Sequence, residues 1–405
     1  MRAVSTACTV RVGGALGETL QAVGLSAPSD GVPPTAGELE LLTALDLDHL
    51  RIDVHLDDAK TWEESLRSAL AVRERLGWAL ELALFLRPEH EPELALLQTM
   101  LEGVPIARTL VVFAGGQTAT PFETTPAELV ELVRRHIGQG PVAGGTDMNF
   151  CEFNRTRPEA RAMDAVFYSI TPQVHAFDDI SVVETLEAQA DTVRTARAIA
   201  PGKPVIVSPI TLKRRFNPVA TAEEVGPSEG QLPDSVDHRQ LSLFGAAWTT
   251  GSVKRLMEAG AAALTYFETT GWHGVLERES GSQSGELFPS LPGEVFPLYH
   301  VFRDLGELKG KELLVCSSDD PLTTVGLAVR DYTETSLLIA NLSPEPRRVR
   351  IEGLAGPATA RRLNDRTAAR ACASPNEFRA KLERIDDVTA FDLDPFETAR
   401  INAKK

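Results

Sequence analysis

Two glutamates follow shortly after the ends of predicted strands, and together they could act as an acid–base pair. Glu268 directly follows the apolar run 264–267. Burying a carboxylate there costs free energy unless the group is paired or takes part in function. Glu152 lies in the polar segment 144–155, which ends an earlier strand. If the strands close into a barrel, three strand steps put both side chains in one mouth, on opposite sides. One glutamate can then act as a general acid and the other as a general base or nucleophile.

Other side chains at predicted strand ends are candidates for binding a substrate. Arg51, Asp53 and His55 alternate along one strand and therefore share one face. They either contact the substrate or form a buried charged ladder that fixes the barrel geometry. Lys213 begins a basic run in an acidic sequence and could attract a carboxylate. The remaining candidates follow the fifth, sixth and eighth strands and offer hydrogen bonds or an aromatic platform for a sugar ring: Asn149, Asn154, Arg155, His175, Trp272 and His273.

These residues can meet only in a fold that brings the ends of several strands together. The order of strand and helix patterns along the sequence predicts such a fold. Short apolar runs alternate with amphipathic helical segments over residues 15–310, which indicates parallel strands joined by crossover helices. Strands are expected at 20–25, 49–56, 79–86, 108–114, 142–150, 165–170, 204–210 and 262–267. Helices are expected at 36–44, 62–76, 92–102, 126–137, 182–198, 241–259 and 297–308. This α/β pattern predicts a closed (β/α)8 TIM barrel, because the G-x-G-x-x-G and P-loop motifs typical of a doubly wound sheet are absent.

The pattern changes at residue 311 to short strands separated by turns. These strands are expected at 313–315, 324–329, 336–340, 347–351, 358–363 and 388–393. Residues 311–405 are therefore predicted to form a small antiparallel β-sandwich domain. Residues 1–14 either pair with this domain or are frayed.

Charge restricts the class of partner. The 405 residues include 41 Lys and Arg against 57 Asp and Glu, a net charge of −16. A surface this negative repels phosphate backbones and anionic lipids, so neither a nucleic acid nor a membrane surface is expected as a partner. A small anionic substrate stays possible because it responds to the local field of a cleft.

The cysteines and the N-terminal segment bear on compartment and cofactors. The four cysteines are far apart and form no C-x-x-C pair, which argues against a disulfide framework and a structural zinc site. No signal-peptide core and no run of roughly 20 apolar residues is visible. We therefore expect a cytoplasmic protein with reduced thiols and without a metal or cofactor.

Three segments resemble the D-apionate lactonase family of bacterial apiose catabolism. They are GTDMNFCEFNR at 145–155, TPQVHA at 171–176 and YFETTGWHG at 266–274. The resemblance covers the barrel and the C-terminal domain, whereas the family's N-terminal β domain has no counterpart in this sequence. It implies a hydrolase that opens D-apionolactone, or a close aldonolactone, to the aldonate.

The layout and the paired glutamates also resemble clan A glycoside hydrolases. Those enzymes carry glutamates after the fourth and seventh barrel strands, with an Asn just before the first glutamate. Here the strand count is offset by one, and Asn149 lies three residues before Glu152. The alternative function is a retaining glycosidase with Glu152 as acid/base and Glu268 as nucleophile.

Lactone hydrolysis needs an activated water, a stabilised oxyanion and a proton for the ring oxygen. We expect Glu268 to act as general base and Glu152 as general acid, or the two roles to be exchanged. Candidate donors to the oxyanion are Asn149, Arg51 and His175.

Two other classes of function stay open. A metal-dependent barrel hydrolase would use Asp53, His55 and Glu268, although no HxH strand or HExxH motif is present. A carbohydrate-binding protein without activity would bind sugar with no turnover, and the inward glutamate pair argues against it. A serine nucleophile is not expected, because the sequence has no G-x-S-x-G elbow.

Overall fold

Eight parallel strands close into a barrel in the computed structural model, which describes residues 8–58, 61–114, 124–216, 228 and 230–404. The chain begins with β1 (Cys8–Thr19), which belongs to a different sheet, and the next eight strands pair in chain order until the last closes on the first. They are β2 (Ala22–Ser26), β3 (His49–His55), β4 (Ala79–Leu86), β5 (Ile106–Phe113), β6 (Val142–Asn149), β7 (Ala165–Ile170), β8 (Val205–Ile210) and β9 (Ala263–Glu268). The predicted (β/α)8 barrel is confirmed.

Helices cover the outside of the barrel and bury their apolar faces against the strands. A capping box fixes the start of the first helix, since the Thr35 hydroxyl accepts from the Glu38 N–H and the Glu38 carboxylate accepts from the Thr35 N–H. The barrel helices are α1 (Ala36–Thr43), α2 (Trp62–Leu76), α3 (Glu91–Met100), α4 (Ala127–His136), α5 (Phe150–Thr156), α6 (Asp179–Ile199), α7 (Leu243–Glu258) and α8 (Pro297–Leu308). None of the helices that the structure describes is long and apolar enough to cross a membrane.

A charged network lies inside the barrel, below its mouth. Glu81 is fully buried and accepts hydrogen bonds from Ser208 at 2.5 Å, Thr265 at 2.7 Å and Arg108 at 2.5 Å. Burial alone raises the pKa of Glu81, but the surrounding His49 and Arg108 side chains outweigh burial, so its pKa falls to about 2. The network is thus an ionised carboxylate whose partners are supplied by four different strands.

Two buried histidines make the fold sensitive to acid. Burial, followed by repulsion from neighbouring arginines, lowers the pKa of both His49 and His300 to about 3. Both side chains are therefore neutral in the folded protein near neutral pH, whereas an unfolded histidine takes up a proton below about pH 6.5. The unfolded state then binds more protons, so stability is lost as pH falls from about 6.5 toward 3.

We expect the free energy of unfolding to decrease between pH 6.5 and pH 5 by up to about 1.4 kcal/mol per pH unit for each of these histidines. Urea unfolding at several pH values measures this slope. His300→Gln should reduce the slope, whereas His175→Gln, which changes an exposed side chain, should leave it as in the wild type. Equal slopes for wild type and His300→Gln would contradict the prediction.

The C-terminal region forms one nine-stranded sheet together with β1. The other strands are β10 (Glu312–Ser318), β11 (Thr324–Arg330), β12 (Glu334–Asn341), β13 (Arg347–Glu352), β14 (Ala358–Leu363), β15 (Glu383–Ile385), β16 (Phe391–Leu393) and β17 (Thr398–Lys404). Their order in the sheet is β15-β14-β17-β12-β11-β10-β1-β13-β16. Residues 8–11 of β1 pair in parallel with β13 and residues 10–12 pair antiparallel with β10, so this part of segment 1–14 joins the sheet. Two short helices that the sequence pattern did not predict precede β15: α9 (Ala368–Ala373) and α10 (Pro375–Ala380).

A buried ion cluster joins this sheet to the barrel. Asp304 on α8 lies 2.9 Å from Arg361, 2.6 Å from Arg379 and 3.2 Å from Arg400. Burial alone raises the pKa of Asp304, but the three guanidinium groups outweigh it and hold the pKa below its usual value. The C-terminal domain therefore supplies, from β14, α10 and β17, the charges that α8 needs in order to be buried.

Candidate active site

A cavity of about 430 Å³ opens at the carboxyl ends of the barrel strands, where barrel enzymes carry their chemistry. Its walls come from the ends of β2, β3, β8 and β9, from α2 and from the loops that follow the strands. Seven of the twelve residues singled out in the sequence line it: Arg51, Asp53, His55, Lys213, Glu268, Trp272 and His273.

A bulge at the end of β9 directs Glu268 toward this cavity. Thr265 points into the barrel, where its hydroxyl donates to Glu81, so strict alternation would put residue 268 on the outer face. The register shifts by one residue at Phe267, which has a φ of 29°. The Phe267 ring stays outside, 6.0 Å from the Phe302 ring of α8, and Glu268 returns to the inner side.

Two neighbours orient the Glu268 carboxylate. The Ser29 backbone N–H donates to Oε2 at 3.0 Å, and His273 Nδ1 lies 3.6 Å from Oε1. The Glu268 backbone N–H also donates to the His273 carbonyl at 2.9 Å, so residues 268–273 form a closed loop. The carboxylate side chain keeps 16% of its surface exposed and is therefore accessible to a bound molecule.

His273 contacts a second polar group in the cavity. Its Nε2 lies 3.1 Å from the Ser235 hydroxyl, on the side of the ring opposite to Glu268. Gln240 donates hydrogen bonds to the backbone carbonyls of His273 at 3.2 Å and Gly274 at 2.9 Å. The segment that carries Ser235 and the loop that carries His273 are thereby fixed to each other.

The floor of the cavity is an ion cluster of two arginines and two aspartates. Arg51 is buried and donates to Asp53 at 2.7 Å, to Asp147 at 2.7 Å and to Ser208 at 2.9 Å. Arg215 contacts the same two aspartates from the cavity side. Burial alone raises the pKa of Asp53, but Arg51 and Arg215 outweigh it and hold the pKa below its usual value. The geometry favours the ladder interpretation for Arg51, while Asp53 also reaches the cavity.

The remaining wall residues offer one cation and two aromatic surfaces. Lys213 lines the cavity and makes no ion pair with any residue that the structure describes. Trp272 donates to the Ser282 hydroxyl at 2.8 Å, and its ring lies 6.1 Å from the Phe288 ring, which fixes the indole as a wall. His55 stacks on Phe85 at the rim, with ring centroids 4.0 Å apart.

Five of the predicted site residues lie outside the cavity: Glu152, Asn149, Asn154, Arg155 and His175. Glu152 is buried in the first turn of α5, and Arg155 Nη1 lies 3.7 Å from its carboxylate. Phe150 and Phe153 anchor α5 against Tyr168, so the chain leaves the mouth as soon as β6 ends. The structure therefore does not bring Glu152 together with Glu268.

The other three predicted residues, Asn149, Asn154 and His175, also lie outside the cavity that Glu268 faces. Asn149 lines a separate small cleft beside Arg215, and Asn154 and His175 are exposed. None of these residues is among those that contact Glu268 or His273 in the described part of the chain.

Ser235, Asp237 and Gln240 line the cavity although sequence reasoning did not single them out. They belong to the segment that connects β8 to α7, of which residues 217–227 and 229 lie outside the described residues. Asp237 accepts from Gln173 at 2.6 Å and from Arg239 at 2.8 Å, which anchors the segment. The length of this connection, residues 211–242, is the feature of the sequence that indicates a functional segment.

Two parts of a known family match the chain, one over the barrel and one over the C-terminal region. Residues 23–310 match the D-apionate lactonase TIM barrel domain, and residues 321–401 match the D-apionate lactonase C-terminal immunoglobulin-like domain. The chain is 29% identical over 235 residues to a D-apionate lactonase of Brucella anthropi. This match covers 58% of the chain but only 36% of the relative.

Several solved structures share the fold at low sequence identity. A GH30 endoxylanase from Clostridium papyrosolvens is 10% identical with a TM-score of 0.61, over 99% of this chain and 100% of that one. A family 51 α-L-arabinofuranosidase from Bifidobacterium longum is 10% identical with a TM-score of 0.62, over 98% and 100%. At this identity the similarity concerns the fold alone.

Proposed function

Because the chain belongs to the D-apionate lactonase family, we propose that it opens a sugar-derived lactone by hydrolysis, with D-apionolactone or a close aldonolactone as substrate. The observation that carries the proposal is the position of Glu268. Its carboxylate ends a barrel strand, faces a cavity of the size that holds a small molecule, and stands beside an imidazole.

The Glu268–His273 pair is the base of the proposed reaction. The pair takes the proton of the attacking hydroxyl and returns it to the ring oxygen that leaves, which contributes on the order of 10²–10⁴-fold. The strand-end pattern predicts Glu152 for the second role, but the position of Glu152 outside the cavity supports His273 as the group that delivers this proton.

The charge of the cavity suits the product of this reaction. The arginines of the floor are offset by Asp53 and Asp147, whereas Lys213 has no such partner among the described residues. Lys213 is therefore the group that would attract the developing oxyanion and the carboxylate of the aldonate. Trp272 supplies the apolar surface against which a sugar ring can lie.

Gly274 holds His273 in place, so Gly274→Ala should impair the reaction. A Cβ at this position would lie 2.5 Å from the Thr270 carbonyl carbon, so the loop must open and His273 must move. A shift of about 1 Å in a reacting group can cost roughly 10²-fold, and we expect a loss of that order in kcat/KM. Gly285→Ala is the matched control because a Cβ there meets nothing within 4 Å. Equal kcat/KM for the two variants would contradict this role of the loop.

An assay with a panel of substrates tests the proposed function. Purified protein is offered aldonolactones, including D-apionolactone, and acid release is followed with a pH indicator against an enzyme-free control that corrects for spontaneous opening. Nitrophenyl glycosides are offered in parallel. We expect acid release from at least one lactone and no nitrophenol.

The opposite result would favour the glycosidase alternative. Release of nitrophenol with inert lactones would overturn the lactonase proposal and assign Glu268 the role of glycosidase nucleophile. Binding of sugars without any turnover would favour a carbohydrate-binding protein and would also overturn the proposal.

A further inference from the structure

We propose that Ser235 is the nucleophile of this site, and that hydrolysis passes through an ester between the acyl group of the lactone and Ser235 Oγ. The inference rests on the proposed lactonase function and deepens it. A hydroxyl, an imidazole and a carboxylate lie in line: Ser235 Oγ is 3.1 Å from His273 Nε2, and His273 Nδ1 is 3.6 Å from Glu268 Oε1. All three side chains line the same cavity.

The surroundings of Glu268 select the form of His273 that can act as a base. The Ser29 N–H occupies Oε2, which leaves Oε1 to face the imidazole. When Nδ1 carries its proton toward this carboxylate, Nε2 is an acceptor and can take the proton of the Ser235 hydroxyl. Such contacts commonly tighten when a substrate binds, so 3.6 Å between Nδ1 and Oε1 is compatible with this role.

The two loops that carry the hydroxyl and the imidazole are rigidly connected. Gln240, five positions after Ser235, donates to the backbone of the His273 loop at 3.2 and 2.9 Å. On the other side, Asp237 is fixed by Arg239 and Gln173. Ser235 is therefore held at a defined distance from His273 by its own segment, which is the precondition for a preorganised nucleophile.

In the proposed reaction His273 carries the proton between the attacking and the leaving oxygen in each half. Ser235 Oγ bonds to the lactone carbonyl carbon while its proton passes to His273 Nε2. The bond from the carbonyl carbon to the ring oxygen then breaks, and His273 gives its proton to that oxygen. Water repeats the sequence: its proton passes to His273, its oxygen bonds to the same carbon, and Ser235 leaves and regains a proton. The products are the aldonic acid and the free enzyme.

A serine nucleophile at this site differs from what the sequence motifs predict. That expectation rested on the missing G-x-S-x-G elbow, which marks only one fold that presents such a serine. Triads are recognised by geometry and by role, and they recur on unrelated folds. Here the serine lies on a loop after a barrel strand instead of on a strand-to-helix turn.

Labelling with a fluorophosphonate tests the nucleophile without any lactone. We expect a single adduct in the intact mass of the wild-type protein, mapped to Ser235, and no adduct in Ser235→Ala or His273→Gln. Ser68→Ala is the matched control, since Ser68 lines the same cavity from α2, and it should label as the wild type does. Absence of labelling in the wild type, or an adduct that persists in Ser235→Ala, would overturn the proposal.

Lactone turnover gives the second readout and separates the two proposals. Ser235→Ala should lower kcat by about 10³-fold or more, with an unchanged melting temperature. Wild-type turnover in Ser235→Ala would overturn the nucleophile and leave the lactonase function standing. Labelling of Ser235 in a wild-type protein that hydrolyses no lactone would support the nucleophile and overturn the proposed substrate class.

Discussion

Glu268→Gln should lower kcat/KM for lactone hydrolysis by about 10³–10⁴-fold. The amide keeps the shape of the side chain but carries no charge, so it neither holds the proton of His273 on Nδ1 nor stabilises the imidazolium that forms during reaction. Because Glu268 makes few contacts beyond Ser29 and His273, we expect the fold to be retained.

Steady-state kinetics and the melting temperature together measure this effect. Glu184→Gln is the control, since Glu184 is exposed on α6 and the substitution removes the same charge. It should keep the wild-type kcat/KM. If Glu268→Gln turned over lactone as fast as Glu184→Gln, the assignment of the base would be wrong.

The same kinetic assay tests whether Glu152 takes part in the reaction. Glu152 is buried in α5 and outside the cavity, so Glu152→Gln should keep kcat/KM within about tenfold of the wild type. A loss as large as that of Glu268→Gln would instead support the glutamate pair that the sequence predicts.

Arg51→Met should destabilise the protein by about 3–5 kcal/mol, the range typical of removing one partner from a buried ion pair. The Arg51 side chain is fully buried and makes charged hydrogen bonds to Asp53 and Asp147 at 2.7 Å each. Without it, Arg215 is the one cation that the two carboxylates share among the described residues. The methionine side chain fills much of the volume, so the effect reports mainly the lost charge.

Urea unfolding at neutral pH measures this loss. Arg67→Met on α2 is the control, because the ion pair of Arg67 with Glu63 is exposed and such pairs contribute about 0–1 kcal/mol. A difference between the two variants of less than about 1 kcal/mol would contradict the view that the floor cluster holds the mouth together.

The barrel could be predicted because its strands and helices are strongly patterned. The helices at 62–76 and 297–308 and the strands at 79–86 and 165–170 have the predicted bounds. The strand β17 escaped prediction because Arg400 interrupts its apolar pattern. In the structure this arginine is buried by its contacts with Asp304 and Glu307, which no local pattern shows.

The candidate site could be predicted where a side chain lies on a strand or within a few residues of its end, as Lys213 does after β8 and His273 after β9. Arg51 and Asp53 lie on β3 and Glu268 ends β9, so the end of the strand brings them to the cavity. Glu152 lies outside the cavity because a helix anchored by two phenylalanines follows β6, and the local sequence pattern did not predict this helix. Ser235 was missed because its position depends on how a long loop folds back, which is a tertiary property.

The ribosome makes β1 long before it makes β10 and β13, the two strands with which β1 pairs. Cys8 and Ser318, which are hydrogen-bonded at 3.3 Å, lie 310 positions apart, and the barrel lies between them. A ribosome that adds about 5–20 residues per second needs roughly 15–60 s to cover that distance. During this time β1 exposes two unpaired edges, which are templates for wrong pairing. Mutations that weaken β10 or β13 should therefore lower the yield of native protein in cells more than they lower the stability of the finished fold.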